Sequence, residues 1–254
     1  MTKPFARHLL TVLVALAAVS LAVADAHAQA TTTPDILNTP ISGSVASWII
    51  RTFGLLTILS VAPGILIMVT SFPRFIIAFS ILRSGMGLSS TPSNMILTSL
   101  ALFMTFFVMS PTLEKAWTTG AQPLLAEQIT ETEALGRIAV PFRDFMVANT
   151  RDKDLKLFAD IAAEKGQPAV TNGQVDLRVL VPAFMISEIR RGFEIGFLIV
   201  LPFLVIDLIV ATITMAMGMM MLPPTSISLP FKILFFVLID GWNLLVGSLV
   251  RSFN

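Results

Sequence analysis

The chain has 254 residues, of which 17 are Lys or Arg and 16 Asp or Glu. Charged residues make up only 13%, hydrophobic residues 55%, and the mean hydropathy is +0.83. Soluble domains carry about 25% charged residues, so the composition argues against an ordinary soluble enzyme. A net charge of +1 is too small for a nucleic-acid binder, which must neutralise phosphates.

There is no cysteine, hence no disulfide, iron–sulfur cluster, thiolate zinc site or thiol nucleophile. Residues 1–28 read as a secretory signal peptide. Lys3 and Arg7 form its positive start, Leu9 to Ala24 its uncharged apolar run, and Ala26-His27-Ala28 its small-x-small cleavage site. That run is short for a bilayer span of about 20 residues. Both histidines, His8 and His27, fall within residues 1–28. A mature chain without Cys or His has no histidine base and no Ser-His-Asp triad. We therefore expect no enzyme, no metal site and no cofactor. Residues 29–47, rich in Thr, Ser, Asn and Pro, read as a flexible lead-in.

The charges divide the remainder. Residues 112–191 hold 21 of the 33 charged residues. This polar region lies between two apolar pairs, at 48–111 and 192–254. In the first pair, Trp48 to Val69 and Asn94 to Ser110 lie within charge-free stretches of 22 residues (52–73) and 30 residues (84–113), each long enough to span hydrocarbon. Pro63-Gly64 is expected to kink the first of them. Between them come Arg74, the apolar run Phe75 to Leu82, Arg83 and a Gly/Ser/Pro-rich turn up to Pro92. Two cations without an acid suit a cytoplasmic side. They also suit lipid headgroups or snorkelling anchors.

The polar region is helical in pattern. Pro141 is placed at a first helical position. Leu155, Phe158, Ala159 and Ala162 make one apolar face, Gly166-Gln167-Pro168 ends that helix, and Thr171-Asn172-Gly173 forms a turn. The second pair is Gly192 to Met221 and Leu229 to Leu249, divided by Leu222-Pro223-Pro224. With the leader cleaved, an even number of spans places residues 112–191 and the C-terminus outside the cytoplasm.

Several residues break these patterns. Five of the 13 methionines fall in 215–221. Consecutive helical residues point about 100° apart, so Met219, Met220 and Met221 cannot share one buried face. They pack a helix end, or they form a soft apolar iris round an axial pore. Asp207, Lys232 and Asp240 lie in otherwise apolar segments, where ionisable groups are costly and either paired or functional. A proton relay is one reading, and pairing across helices or subunits is the other. Lys232 and Asp240, eight residues apart, are poorly placed to pair with each other. Glu188, Arg190, Arg191 and Glu194 form a charged knot, with Glu188–Arg191 and Arg191–Glu194 at i, i+3 spacing.

Longer stretches carry a resemblance. Pro182-Ala183-Phe184-Met185-Ile186-Ser187-Glu188-Ile189 with Gly196-Phe197, and Pro202-Phe203-Leu204-Val205-Ile206-Asp207-Leu208-Ile209, resemble the two signatures of the FliP family of flagellar export proteins. Met217 to Pro224 is similar to that family's Met-rich loop. Leu229-Pro230-Phe231-Lys232, Val237 to Trp242, Met68 to Arg74 and Leu102 to Pro111 match it as well.

The resemblance implies a subunit of the type III export gate. Several copies would form a ring with FliQ-like and FliR-like subunits, joined by FlhA-like and FlhB-like export proteins. The ring would pass unfolded flagellar proteins across the bacterial inner membrane at the flagellar basal body. It implies a pore gasket at Met219, Met220 and Met221, and an assembly role for Glu188. Asp207, Lys232 and Asp240 then become inter-subunit contacts. The expected fold is all-α and membrane-associated, with two apolar helical hairpins flanking a helical periplasmic region. An injectisome gate subunit is the alternative within that superfamily. A proton-coupled solute transporter is the alternative outside it, though no inverted repeat is visible.

Overall fold

The computed structural model describes residues 52–253, except positions 55, 58, 59, 61–63, 66, 172 and 219–222. The proposed leader, the lead-in and the three methionines Met219–Met221 therefore lie outside the described residues, as does Pro63 of the expected kink. The chain divides into two compact units, Met1–Ile58 and Leu59–Asn254. In the first, the described residues include the helical stretch 52–54, and the Thr57 hydroxyl donates to the Phe53 carbonyl at 2.8 Å. Among its described residues, the second unit consists of helices joined by turns and one two-stranded hairpin.

Helix α1, Phe72–Gly85, carries Pro73 in its first turn, where a missing N–H costs nothing. The loop that follows turns through Gly87 at φ +79. Ser93 then caps α2, Asn94–Ala116, by accepting from the Ile96 N–H. α2 runs on through a π-helical turn, Trp117–Ala121, into the short α3, Gln122–Leu125. Together, Asn94–Leu125 is long and apolar enough to cross a membrane.

Helix α4 covers Glu131–Asn149 and contains Pro141 in its interior. The expected start at Pro141 is thus corrected by ten residues. The start is set by Thr130, whose hydroxyl accepts from the Glu133 N–H, with Glu131 and Glu133 in the first turn. Helix α5, Asp152–Glu164, buries Asp154 and Ala162 and ends at Gly166 (φ +67). Strands β1, Val170–Thr171, and β2, Gln174–Val175, follow, with Gly173 before β2 at φ +75. The strands are antiparallel, with Val170 opposite Val175.

Asp176 caps α6, Leu177–Ala216, by accepting from the Arg178 N–H at 2.8 Å. These 40 residues form one helix with Pro182 and Pro202 inside. The expected boundary between polar region and second apolar pair, at 191/192, therefore lies within a single helix. Charge density marks where the helix meets water, which is a different matter from where its backbone begins.

Helix α7, Pro224–Leu238, opens on the expected Pro-Pro stop. The apolar run from Leu229 to Leu249, expected as one segment, is broken. Asp240 adopts a left-handed φ of 52, and α8, Gly241–Arg251, leaves α7 at 63°. Periodicity conceals this break, because the apolar residues continue on both sides of it.

Helices α1 and α6 run parallel at close range. Cβ atoms at Gly192 and Gly196 would stand 3.1 Å from the Arg74 carbonyl oxygen and 3.0 Å from the Ile81 side chain, while Gly85 lies against Val200. Small residues let two helix backbones approach without loss of contact. The main core joins these helices to α2, α7 and α8 through Phe75, Phe79, Leu97, Phe203, Phe236 and Leu245. A second core, of Met146, Leu180 and Phe184, seats α4 on the first part of α6.

Candidate functional site

The informative chemistry is a set of charged groups inside apolar helices. Arg74 sits in the first turn of α1 and is 1% exposed; Glu188, in the first third of α6, is 0% exposed. The guanidinium grips the carboxylate with two donors: Nε donates to Oε2 at 2.9 Å, and Nη2 donates to Oε1. Its third nitrogen, Nη1, donates to the Ser252 carbonyl at 2.9 Å and to its Oγ at 2.7 Å. The Phe253 ring lies under the guanidinium, 3.5 Å from Cζ to its centroid. That ring also stacks on Phe75 and Phe145.

One cation thus holds α1, α6 and the turn after α8, with the planar fork that suits arginine and not lysine. Burial pulls the Arg74 guanidinium below its ordinary value, while the hydrogen bond and negative charge of Glu188 pull it back. Arg74 is accordingly neither a headgroup ligand nor a snorkelling anchor. Arg83 is occupied too, its Nη1 donating to Asn94 Oδ1 at 2.5 Å and to the Pro92 carbonyl at 3.3 Å, which braces the loop between α1 and α2.

The charged knot also differs from its i, i+3 expectation. Glu188 turns inward to Arg74, and the surface pair is Arg190–Glu194 at 2.9 Å. The neighbouring Ser187 is buried. Its hydroxyl is shared between Asp154 Oδ2 at 2.7 Å and the Ala183 carbonyl at 2.9 Å, and it accepts from the Arg151 N–H at 3.1 Å. This pins the start of α5 to α6.

A second pair, of the part-exposed Asp207 with the buried Lys232, lies further along α6. Asp207 accepts from Ser228 Oγ at 2.5 Å and pairs with Lys232 Nζ at 2.5 Å. Lys232, 3% exposed, also donates to the Gly85 carbonyl at 3.1 Å, at the C-terminal end of α1 where a cation is favoured. The pair links α1, α6 and α7. So Glu188, Asp207 and Lys232 find their counter-charges within the chain, on other helices. Asp240 stands apart, exposed at the α7–α8 bend, where its Oδ2 accepts from Asn243 Nδ2 at 3.2 Å.

Around the end of α6, Met215 and Met217 are exposed. Ile206, Ile209, Ile213, Met217 and Phe231 help line an open apolar groove of about 460 Å³ between α6 and α7. Among the described residues no three His, Cys, Asp or Glu side chains converge as a metal ligand set.

Sequence reasoning missed the Arg74–Glu188 pair, 114 residues apart, and the Ser252 and Phe253 contacts that complete it. The one sequence signal is the isolation of Arg74, which ends 22 charge-free positions. A lone charge in such a setting demands a partner.

Long apolar helices, with Arg74, Glu188, Asp207 and Lys232 paired between them, define the class: a helical membrane protein. The particular family follows from comparison with known proteins. The FliP family model matches residues 55–249, and this chain belongs to that family. It is 77% identical to the flagellar biosynthetic protein FliP of Agrobacterium fabrum over 248 residues, which cover 98% of this chain and 99% of that one. Identity to the FliP of Rhizobium meliloti is 81% over 219 residues, 86% of this chain and 89% of that one. The FliP of Bacillus subtilis is 48% identical over 199 residues, 78% and 89% of the respective chains.

Proposed function

We propose that this chain is a core, channel-forming subunit of the flagellar type III export gate. Several copies form a ring with FliQ-like and FliR-like companions in the bacterial inner membrane, and FlhA-like and FlhB-like proteins complete the apparatus. Unfolded flagellar proteins pass along the axis, and flagellum assembly depends on that passage. Residues 112–191 face the periplasm.

One observation carries the reading beyond family membership. The apolar helices bury Arg74, Glu188 and Lys232 and turn large apolar side chains outward. Phe103 and Phe107 on α2, Phe193, Phe197 and Leu208 on α6, and Leu234 on α7 are all exposed. Helices apolar on their outer faces are covered by lipid or by other protein. A subunit packed against sister chains in a closed ring meets that need, and the paired charges then brace each protomer from within. Met219, Met220 and Met221 form the yielding seal of the passage.

Expression in a strain deleted for its own copy tests this reading. Restored motility, flagellin in the medium and recovery in one large complex with two other small apolar proteins are expected. A dispersed single protomer, with motility still absent, overturns it.

A further inference from the structure

Between Leu229 and Leu249 the chain carries two charges, and they are treated differently. Lys232 is buried against Asp207 and Gly85. Asp240 is exposed, and among the described residues its carboxylate meets the Asn243 amide and no cation. It stands in an apolar patch. Val237 and Leu238 before it are 68% and 74% exposed, and Trp242 and Leu244 after it are exposed as well. The left-handed backbone at Asp240 makes the 63° elbow, with the next residue, Gly241, tucked beneath Phe236.

Covering such a patch removes the carboxylate from water, and that is costly unless the covering surface brings a positive charge. We propose that this elbow is a docking surface for an apolar helix of a companion chain that presents a single Lys or Arg among aliphatic side chains. The proposal rests on the export-gate reading for the existence of companions. A second copy is the weaker fit. The cations within this chain's own described apolar stretches, Arg74, Arg83 and Lys232, are already bonded within it, which leaves Arg251 at the end of α8 and, in the charge-rich parts of α2 and α6, Lys115, Arg178 and Arg191.

The test uses the full chain with its companions in a strain lacking its own copy. Asp240→Asn removes the charge but keeps a residue that tolerates the left-handed backbone, and Asp240→Glu keeps the charge. The wild-type chain is the control: its failure to restore motility rejects the export-gate reading, independently of the variants. With that control working, Asp240→Asn is expected to lower recovery of the complex at least about tenfold, and Asp240→Glu to retain most of it. Asp240→Lys is expected to fail, and to regain assembly when one Lys or Arg in an apolar helix of a co-purifying companion is changed to Asp.

Wild-type recovery and motility with Asp240→Asn would overturn the proposal, since the charge would then be unused. So would rescue of Asp240→Lys by Arg251→Asp in the same chain, which assigns the contact to a second copy. A loss that no companion reversal repairs also overturns it. Normal assembly of Asp240→Asn in detergent, with a defect confined to membranes, assigns the carboxylate to a lipid headgroup and does the same.

Discussion

At the scale of single residues, stability of this fold depends on two ion pairs that link distant helices, one fully buried and one with its lysine buried and its aspartate part-exposed. Removing one member of a buried pair strands the other charge, at a cost of about 3–5 kcal/mol, whereas replacing both with apolar groups is often neutral. Arg74→Met is therefore expected to destabilise the purified protein by that amount, read as a lowered unfolding midpoint in detergent. Arg74→Met combined with Glu188→Met is expected to recover most of the loss. A double variant as weak as the single one would mean that the contacts to Ser252 and Phe253, and not the charge pairing, dominate. Asp207→Asn takes the counter-charge from the buried Lys232 ammonium, at a smaller cost because Asp207 is part-exposed and Lys232 keeps the Gly85 carbonyl. Its expected signature is reduced complex yield with unchanged proton conductance of the membrane. Normal complex yield with lost export would instead favour a proton relay at this position.

Elements meet here by close approach of backbones, and α1 against α6 is the plainest case. At Gly196 an added Cβ would stand 3.0 Å from Ile81, so Gly196→Leu wedges the two helices apart and is expected to cost about 1–3 kcal/mol. Gly247 in α8 has no atom within 4 Å of the same position. Gly247→Ala is expected to be neutral, or to stabilise by up to about 1 kcal/mol through helix propensity. Equal shifts in the unfolding midpoints of the two variants would refute the packing argument. The helices themselves were largely legible from sequence. α5 follows its apolar period, α2 its charge-free stretch, and α7 its Pro-Pro start. The start of α4 was legible too, in Thr130-Glu131-Thr132-Glu133, but Pro141 is the louder local signal and points to the wrong end. The elbow at Asp240 was not legible, because an acid in an apolar run reads as a site for pairing before it reads as a backbone turn.

For the molecule as a whole, the exposed apolar faces and the Met-rich loop belong to one proposal. If Met219, Met220 and Met221 seal a passage, changing all three to Ala leaves the amount of assembled complex unchanged and raises the ion conductance of membranes that carry it. Unchanged conductance in a fully assembled gate would count against the seal. Composition alone showed that this chain is apolar, sparing with charge and without thiols, because those properties are sums over residues. The family motifs were likewise contiguous and readable. Which charge answers which was decided only by the tertiary structure. Glu188 has Arg191 three residues away in sequence, yet pairs with Arg74 at a separation of 114. In water the near neighbour would serve as well. Inside an apolar core, an unpaired arginine is so costly that helix packing, and not sequence distance, selects the partner.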